Sequence, residues 1–240
     1  MSGHSKWATI KRKKAATDSA RGKVFTKIIK EITISARDGG GDPVGNPRLR
    51  LAIASAKASN MPQDNIIRAI KKGTGELEGV HYEEITYEAY APHGIAVMIE
   101  CVTDNRNRTV AELRHMIAKQ NGNLGDAGSV AWMFERRGVV TIAKENHTED
   151  ELMEVVLDAG AEDLRTEDDF FEVVCLIENF ETVRKTLEDK KFKIESANLQ
   201  QLAKNLIALD EKGSADVVRF LEVVEEHDDV QNIFSNADFQ

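Results

Sequence analysis

The spacing of apolar residues predicts that the first part of the chain is helical. Apolar residues recur there every three or four positions, as on one face of an amphipathic helix. The first such stripe is formed by Phe25, Ile28, Ile29, Ile32 and Ala36. It predicts a helix over residues 18–38, which the stretch 39–43 ends because glycine and proline are poor helix formers. Pro47 and Pro62 open two further helices, so we predict a three-helix domain over residues 1–78.

Beyond residue 79 the apolar positions alternate with polar ones, which is typical of half-buried strands. Residues 82–90 show this alternation, and residues 95–102 are almost entirely apolar, so we predict two strands joined by a tight turn. A second turn is predicted at Arg136-Arg137-Gly138. From there the pattern reads strand, helix, strand, strand, helix, strand up to residue 198, which is the ferredoxin-like order.

The end of the chain supplies the elements that complete the unit begun by residues 82–102. A short strand is predicted near 205–209, followed by a helix at 214–227 and a strand at 230–234. The predicted fold class is therefore α+β, with an N-terminal three-helix domain and two ferredoxin-like α/β units, the third domain being inserted in the second. The predicted domains are a basic helical domain at 1–78, an α+β domain at 79–131 with 205–240, and an inserted ferredoxin-like domain at 132–204.

Charge is distributed very unevenly along the chain. The formal net charge is −9, yet residues 1–78 hold sixteen Lys and Arg against seven Asp and Glu, while residues 79–240 hold sixteen against thirty-four. The segment from Gly3 to Lys30, called the N-terminal arm below, contains nine cations and a single acid, Asp18. A basic arm on an acidic protein indicates a polyanionic partner, since each Lys or Arg that reaches a phosphate releases a counterion.

The candidate nucleic-acid contacts are the cations of this arm, of the second and third helices, and of a polar loop at 103–109. They are Lys6, Lys11, Arg12, Lys13, Lys14, Arg21, Lys23, Lys27, Arg48, Arg50, Lys71, Lys72, Arg106 and Arg108. A solvated charged surface is the alternative interpretation for the cations outside the arm. Thr109 and Glu112 are spaced as a capping box that starts a helix beside the loop, where free N–H groups favour anions.

These basic segments lack the patterns that read DNA bases. There is no zinc-finger spacing and no basic region continued by heptads, so we expect recognition of the backbone and shape of the nucleic acid. RNA suits such recognition at least as well as DNA. The partner is therefore predicted to be nucleic acid, either DNA or ribosomal RNA.

Enzymatic chemistry has little support in the sequence. The six histidines are scattered without a pair at metal-ligand spacing, and both cysteines lie in apolar runs, so we expect no catalytic residue, metal or cofactor. No apolar run reaches the length that spans a membrane and no signal peptide follows the first charges, so we expect a cytoplasmic protein without a membrane partner. We also expect a monomer or a weak homodimer.

Several motifs stand in the order found in one protein family. They are Gly3-His4-Ser5-Lys6-Trp7, Gly39-Gly40-Gly41-Asp42-Pro43, Asn46-Pro47-Arg48-Leu49-Arg50, Ala69-Ile70-Lys71-Lys72-Gly73, Thr103 through Val110, Gly128-Ser129-Val130-Ala131 and Asp228-Asp229-Val230-Gln231-Asn232. With these motifs the chain resembles the YebC/PmpR family over nearly its whole length. The resemblance implies three domains around an open concave cleft, with neither a cofactor nor a catalytic residue.

The resemblance implies two functions. One is a non-enzymatic nucleic-acid-binding regulator of gene expression, described as a probable DNA-binding transcriptional regulator, and this is our prediction. The alternative is a ribosome-associated translation factor that binds ribosomal or transfer RNA and relieves stalling at proline runs, as described for related mitochondrial translational activators. A third class, a protein-interaction scaffold, stays open for the acidic domains, which nucleic acid would repel.

Overall fold

A computed structural model describes residues 18–144, 147–167 and 169–239, with side chains from residue 22 onward. In these ranges the helices are α1 (Asp18–Gly39), α2 (Pro47–Ala58), α3 (Gln63–Gly73), α4 (Arg106–Lys119), α5 (Glu149–Asp158), α6 (Phe180–Asp189) and α7 (Glu211–Glu225). The strands are β1 (Glu83–Tyr90), β2 (Ala96–Thr103), β3 (Asn123–Leu124), β4 (Phe134–Ala143), β5 (Ala161–Thr166), β6 (Phe170–Cys175), β7 (Ile194–Ala203), β8 (Ile207–Ala208), β9 (Val230–Ser235) and β10 (Ala237–Asp238). This mixture of helices and antiparallel sheets confirms the α+β class.

Helices α1, α2 and α3 pack on one another around a small apolar core, as their apolar stripes predict. The buried residues of this core include Ile32, Ala36, Leu49, Ile66 and Ala69. The connection from α1 to α2 is fixed by Asn46, whose side-chain amide donates to the carbonyls of Ser35 at 2.7 Å and Gly40 at 2.9 Å. Its side-chain oxygen accepts from the N–H of Leu49 at 3.0 Å and so caps α2.

The second unit is a four-stranded antiparallel sheet in the order β3-β1-β2-β9, with α4 and α7 on one face. Strand β9, near the end of the chain, pairs with β2, which places Ile233 opposite Ile99 and Ser235 opposite Val97. The core beneath the helices includes Ile99, Leu113, Ile117, Phe220 and Val224. The pairing of β9 with the hairpin confirms that the end of the chain returns to the sheet that the hairpin begins.

The inserted unit is a second four-stranded antiparallel sheet, in the order β5-β6-β4-β7. Its elements follow one another as β4, α5, β5, β6, α6 and β7, which is the ferredoxin-like order. Both helices pack over a core that includes Val140, Ile142, Phe171, Val183 and Leu187. The insertion of the third domain in the second is thereby confirmed, while the residue boundaries given for the domains stay a prediction.

The predicted turn at Arg136-Arg137-Gly138 is wrong, because these residues lie inside the ten-residue strand β4. Gly138 is needed there for packing, since a Cβ atom would lie 2.5 Å from Cδ2 of Phe180 and 2.9 Å from Sγ of Cys175. The strand expected near 205–209 is reduced to the two residues of β8, which pairs in parallel with β10 outside the four-stranded sheets. A glycine that permits close approach and a glycine that permits a turn look the same in a sequence.

Replacing Gly138 by alanine is expected to destabilise the protein by about 1–3 kcal/mol, because the added Cβ displaces Phe180 from a packed core. Gly45→Ala is the matched control, since a Cβ there meets no atom within 4 Å. The control should stay within about 0.5 kcal/mol of the native protein. Urea unfolding followed by circular dichroism measures both, and equal midpoints would contradict the packing role of Gly138.

Candidate nucleic-acid interface

A cleft of about 720 Å³ separates α1 from α4 and from the turn between α7 and β9. Its walls carry charges of both signs, from Lys23, Lys30, Asp104, Arg108, Glu112 and Asp229. The helical end of the N-terminal arm and the polar loop 103–109 therefore meet at one place, although they are far apart in the sequence. Both segments contain predicted nucleic-acid contacts.

The centre of this cleft is the buried carboxylate of Asp229, whose side chain is 4% exposed. One oxygen accepts from Nζ of Lys30 at 2.7 Å, and the other accepts from Nη2 of Arg108 at 2.8 Å and from the hydroxyl of Thr109 at 2.7 Å. Burial alone would raise the pKa of this carboxyl, but the hydrogen bonds from Lys30, Arg108 and Thr109 prevail and hold the pKa well below its usual range. Asp229 is therefore ionised, and it ties α1 and α4 to the start of β9.

Lys30 is fully engaged within the protein. Besides Asp229, its ammonium donates to the carbonyls of Val102 at 3.2 Å and Asp228 at 2.9 Å. These three hydrogen bonds use all the N–H groups of a lysine, and the side chain is only 7% exposed. Lys30 thus anchors α1 to the second domain and does not face an external ligand.

Lys23 and Lys27, two predicted nucleic-acid contacts, lie against the C-terminal end of α7. Nζ of Lys23 donates to the carbonyl of Glu226 at 3.2 Å, and Nζ of Lys27 donates to the carbonyl of Glu225 at 3.0 Å. The last carbonyls of a helix carry a partial negative charge that favours cations. These contacts orient α1 on the acidic part of the protein.

The polar loop 103–109 is organised by hydrogen bonds to its own residues. Asn105 caps α4, since its side-chain oxygen accepts from the N–H of Arg108 at 3.1 Å. The predicted capping box of Thr109 and Glu112 is wrong, because α4 begins three residues earlier and the hydroxyl of Thr109 is buried against Asp229. The cap is Asn105, a residue that the sequence pattern did not single out.

The two arginines of this loop differ in their surroundings. Arg108 donates to Asp229 and, at 2.9 Å, to Asp104, and these two carboxylates raise the pKa of its guanidinium above the ordinary arginine value. Arg106 is exposed, and its guanidinium has no hydrogen bond or ion pair to any residue in the described ranges. Of the pair, Arg106 is the one that stands free to meet a phosphate.

Arg48 and Arg50 of α2 also contact acidic residues of the protein itself. Arg48 pairs with Glu31 of α1 at 2.7 Å and with Glu84 of β1. Burial would lower the pKa of Arg48, but its hydrogen bonds to both carboxylates overcome this and raise the pKa. Arg50 donates to Glu181 of α6 at 3.2 Å. The two arginines therefore join the helical domain to both sheet-containing units.

Three exposed cations of the helical domain lie on α3, while Lys57 of α2 is exposed as well. Lys71 and Lys72 are exposed in its last turn, and Arg68 is exposed one turn earlier. None of the three makes a side-chain hydrogen bond or ion pair with the residues that the structure describes. The predicted contacts Lys6, Lys11, Arg12, Lys13 and Lys14 lie outside the described residues, as does the side chain of Arg21.

Asp229, the residue on which the cleft depends, is absent from the predicted contacts. It follows Asp228 after an acidic helix, and acidic residues are mostly exposed, so nothing in the local pattern marks this one as buried. The one signal that could have found it is its place in the closing motif Asp228-Asp229-Val230-Gln231-Asn232, which carries the family resemblance.

The described residues include no group of three His, Cys, Asp or Glu side chains arranged to hold a metal ion. Their helices are all too short or too polar to cross a membrane. Cys101 and Cys175 are buried, and burial raises the pKa of their thiols to about 12 and about 11. Such thiols stay protonated at neutral pH and are therefore poor nucleophiles.

Two sequence models of a single family match the chain. The model described as the TACO1/YebC protein N-terminal domain matches residues 5–76. The model described as the TACO1/YebC second and third domain matches residues 82–237. The chain belongs to the TACO1/YebC family. The resemblance to YebC proteins that the motifs indicate is thereby confirmed.

Other TACO1/YebC proteins match this one over almost their whole length. A "probable transcriptional regulatory protein" of Desulfosudis oleivorans is 55% identical over 237 residues, which cover 99% of this chain and 96% of that protein. A protein of the same name from Prosthecochloris aestuarii is 55% identical over 240 residues, covering 100% and 96%. The crystal structure of a conserved hypothetical protein from Aquifex aeolicus superimposes with a TM-score of 0.87 at 43% identity, covering 95% of this chain and 94% of that one.

Replacing Asp229 by asparagine is expected to destabilise this TACO1/YebC protein by about 3–5 kcal/mol at neutral pH, since Lys30 and Arg108 lose their buried counter-ion. The pKa of Asp229 is lower in the folded state than its unfolded value of about 3.9. Its stabilisation is therefore complete above that pH and is lost as the pH falls below it. Urea unfolding at a series of pH values from about 7 to about 3 measures the effect.

Asp228→Asn is the matched control, because Asp228 is exposed and contacts Lys30 through its backbone carbonyl. It should change the free energy of unfolding by less than about 0.5 kcal/mol. The difference in free energy of unfolding between Asp228→Asn and Asp229→Asn should stay constant near neutral pH and become smaller in acid. Equal free energies of unfolding for the two variants, or a difference that does not change in acid, would contradict the role assigned to Asp229.

Proposed function

We propose that this protein is a non-enzymatic regulator of gene expression that binds nucleic acid through its N-terminal arm and helical domain. The observation that carries the proposal is that its cations fall into two groups. Lys23, Lys27 and Lys30 are held by carbonyls and a carboxylate of the acidic part of the chain. The cations of α3 are exposed, and five more cations precede α1 in the sequence.

The packing of α3 on α1 places the exposed cations of α3 beside the helix into which the N-terminal arm continues. A Cβ atom at Gly73 of α3 would lie 2.3 Å from the carbonyl oxygen of Thr33 in α1, so the two helices are in close contact. Arg68, Lys71 and Lys72 therefore stand on the same domain that the N-terminal arm enters. A cluster of cations on one module is the electrostatic footprint of a nucleic-acid-binding protein.

A transcriptional role at DNA is supported by the name of the relatives, which are called probable transcriptional regulatory proteins. Arg48 and Arg50, the two arginines of α2, pair with Glu31, Glu84 and Glu181 instead of facing base edges. Phosphate contacts position a protein on nucleic acid without reading its sequence. We infer binding that depends on backbone and shape.

The second candidate function is a ribosome-associated translation factor that binds ribosomal or transfer RNA and relieves stalling at proline runs. The observation that favours it is the acidity of residues 79–240, which hold thirty-four acids against sixteen cations. Such a surface is repelled by bare duplex DNA but is complementary to basic ribosomal proteins. Either function places the protein in the cytoplasm.

Replacing Lys11, Arg12, Lys13 and Lys14 by alanine is expected to weaken binding to unrelated nucleic-acid sequences to a similar extent. If about six cations contact phosphates, the logarithm of the affinity falls against the logarithm of the salt concentration with a slope of roughly −5. Losing four of those contacts reduces the slope to roughly −2. Fluorescence anisotropy of labelled DNA and RNA across a salt series measures the slope.

A control variant removes four exposed cations from outside the helical domain, at Lys119, Lys185, Lys190 and Lys212. It has the same net charge as the arm variant, so a general charge effect would weaken binding equally in both. Unchanged affinity in the arm variant, or an equal loss in the two variants, would remove the arm from the proposal.

Ribosome profiling and transcript sequencing in a strain without the protein distinguish the two functions. A transcriptional regulator is expected to change the level of defined messages, and purified protein should footprint their promoters at physiological salt. A translation factor is expected to leave message levels unchanged while ribosomes accumulate at particular codon runs. Loss of the protein without either change would refute both functions.

A further inference from the structure

Helix α2 of the helical domain touches α6 of the inserted domain through a pair of charged residues, called the α2–α6 contact below. Nη2 of Arg50 donates to Oε2 of Glu181 at 3.2 Å, and the two side chains are 36% and 31% exposed. Leu51, the next residue of α2, is half-buried and packs against the core of the inserted domain. Ion pairs that water reaches add little stability, because solvent and salt screen them. The α2–α6 contact is therefore easily broken.

Two polar atoms at this contact are buried without a hydrogen-bond partner in the described part of the chain. They are Oε1 of Glu181 and Nε of Arg184, which stands three residues further along α6. A buried polar atom that is not hydrogen-bonded destabilises the arrangement that buries it, because it has given up its bonds to water. Since α2 lies against this end of α6, its withdrawal would let water reach both atoms.

Glu181 keeps a charged partner when Arg50 leaves. Its Oε2 also accepts from Nη2 of Arg184 at 3.0 Å, within the same helix. Burial would raise the pKa of Glu181, but the hydrogen bonds from Arg184 and Arg50 lower it, and Arg184 has the larger effect of the two. Breaking the α2–α6 contact therefore leaves no unpaired charge behind on α6.

Arg50 is held in position by its own domain as well. Its Nη1 donates to the carbonyls of Pro43 at 2.9 Å and Val44 at 3.3 Å, in the connection between α1 and α2. These two bonds orient the guanidinium independently of Glu181, which accepts from Nη2 alone. A phosphate can accept from two N–H groups of one guanidinium at once, so it is a stronger partner for Arg50 than this carboxylate.

The α2–α6 contact can open without breaking the attachments of either domain to the second one. The helical domain is attached through Lys30 and Asp229, whose side chains are only 7% and 4% exposed. The inserted domain is attached through the ends of β4 and β7, where Phe134 and Ala203 pack in one cluster with Phe234 of β9. The buried Lys30–Asp229 pair is therefore a fixed point about which α2 can move away from α6.

We propose that the α2–α6 contact opens when nucleic acid binds, with a phosphate taking the place of Glu181 on Arg50. The proposal rests on the nucleic-acid binding proposed above and adds a conformational step to it. In the closed form the inserted domain withholds one cation of the helical domain, and a polyanion that competes for this cation separates the two domains. The closed form therefore lowers the affinity for nucleic acid, because part of the binding free energy is used to open it.

Replacing Glu181 by glutamine is expected to raise the affinity for the labelled DNA and RNA about three-fold or more, because Arg50 no longer has to be taken from a carboxylate. Glu178→Gln is the matched control, since Glu178 is exposed in the turn before α6 and its loss changes the net charge equally. It should bind within about two-fold of the native protein. Fluorescence anisotropy at constant salt measures both affinities, and thermal unfolding checks that both variants fold.

Removing Arg50 tests whether this gain passes through the proposed contact. Arg50→Ala is expected to flatten the salt dependence of binding by about one unit of slope, because one phosphate contact is lost. Adding Glu181→Gln to Arg50→Ala should then bring no gain in affinity over Arg50→Ala with Glu178→Gln. A gain that persists without Arg50 would overturn the proposal.

Spin labels measure the opening itself in a chain whose charged contact is intact. Cysteines at Ser55 of α2 and Lys185 of α6, both exposed, carry one pair of labels, while the two native cysteines are buried. The distance between these labels is expected to lengthen when DNA or RNA is added. A second pair, at Val24 of α1 and Ala118 of α4, spans the Lys30–Asp229 attachment and should keep its distance.

The possible results separate this proposal from the proposed function. Binding by anisotropy with an unchanged α2–α6 distance, or equal affinities for Glu181→Gln and Glu178→Gln, would overturn the opening and leave the proposed function standing. Absence of any binding to DNA or RNA in the native protein would overturn both. If Glu181→Gln fails to fold, the label distances in the chain that keeps Glu181 still decide.

Discussion

The ionised carboxylate of Asp229 is the interaction on which the arrangement of the helical domain depends. It accepts from Lys30, which lies 199 positions earlier in the chain, and from Arg108 and Thr109 of the second domain. A buried charge is costly unless it is fully paired, so the three donors stabilise it only when α1, α4 and the start of β9 are all in place. The orientation of the N-terminal segment is thereby coupled to the folding of a domain that the chain completes only at its end.

This coupling explains how a basic helical domain can adjoin the acidic residues 79–240, called the body below, and still keep some of its cations exposed. The cations of α1 that face the body meet specific carbonyls at the end of α7, and Arg48 and Arg50 meet specific carboxylates of β1 and α6. These contacts satisfy the attraction between the two parts of the protein in a fixed geometry. The exposed cations of α3 and Arg106 are left to act on an external polyanion.

Periodicity was sufficient to predict the helices, the two sheets and the insertion, because each of these elements buries one face of a regular stripe or alternation. It failed at Gly138, where a close approach to Phe180 rather than a turn requires glycine. For the site, the sequence identified the basic segments but not the partners of Lys23 and Lys27, nor the pairing of Arg108 with Asp229. Those partners are backbone carbonyls and a distant carboxylate, and single-sequence patterns carry no information on contacts made across domains.

The central claim is that nucleic acid meets the free cations of the helical domain and not the acidic surface of the body. Ultraviolet crosslinking in cells, followed by mass spectrometry of the crosslinked peptides, tests it most directly, because it reports which residues touch nucleic acid and whether that nucleic acid is DNA or RNA. The account predicts crosslinks in residues 1–17 and on α3, with none on α5 or α6 of the inserted domain. Crosslinks concentrated on α5 and α6, with the N-terminal segment free of them, would contradict it.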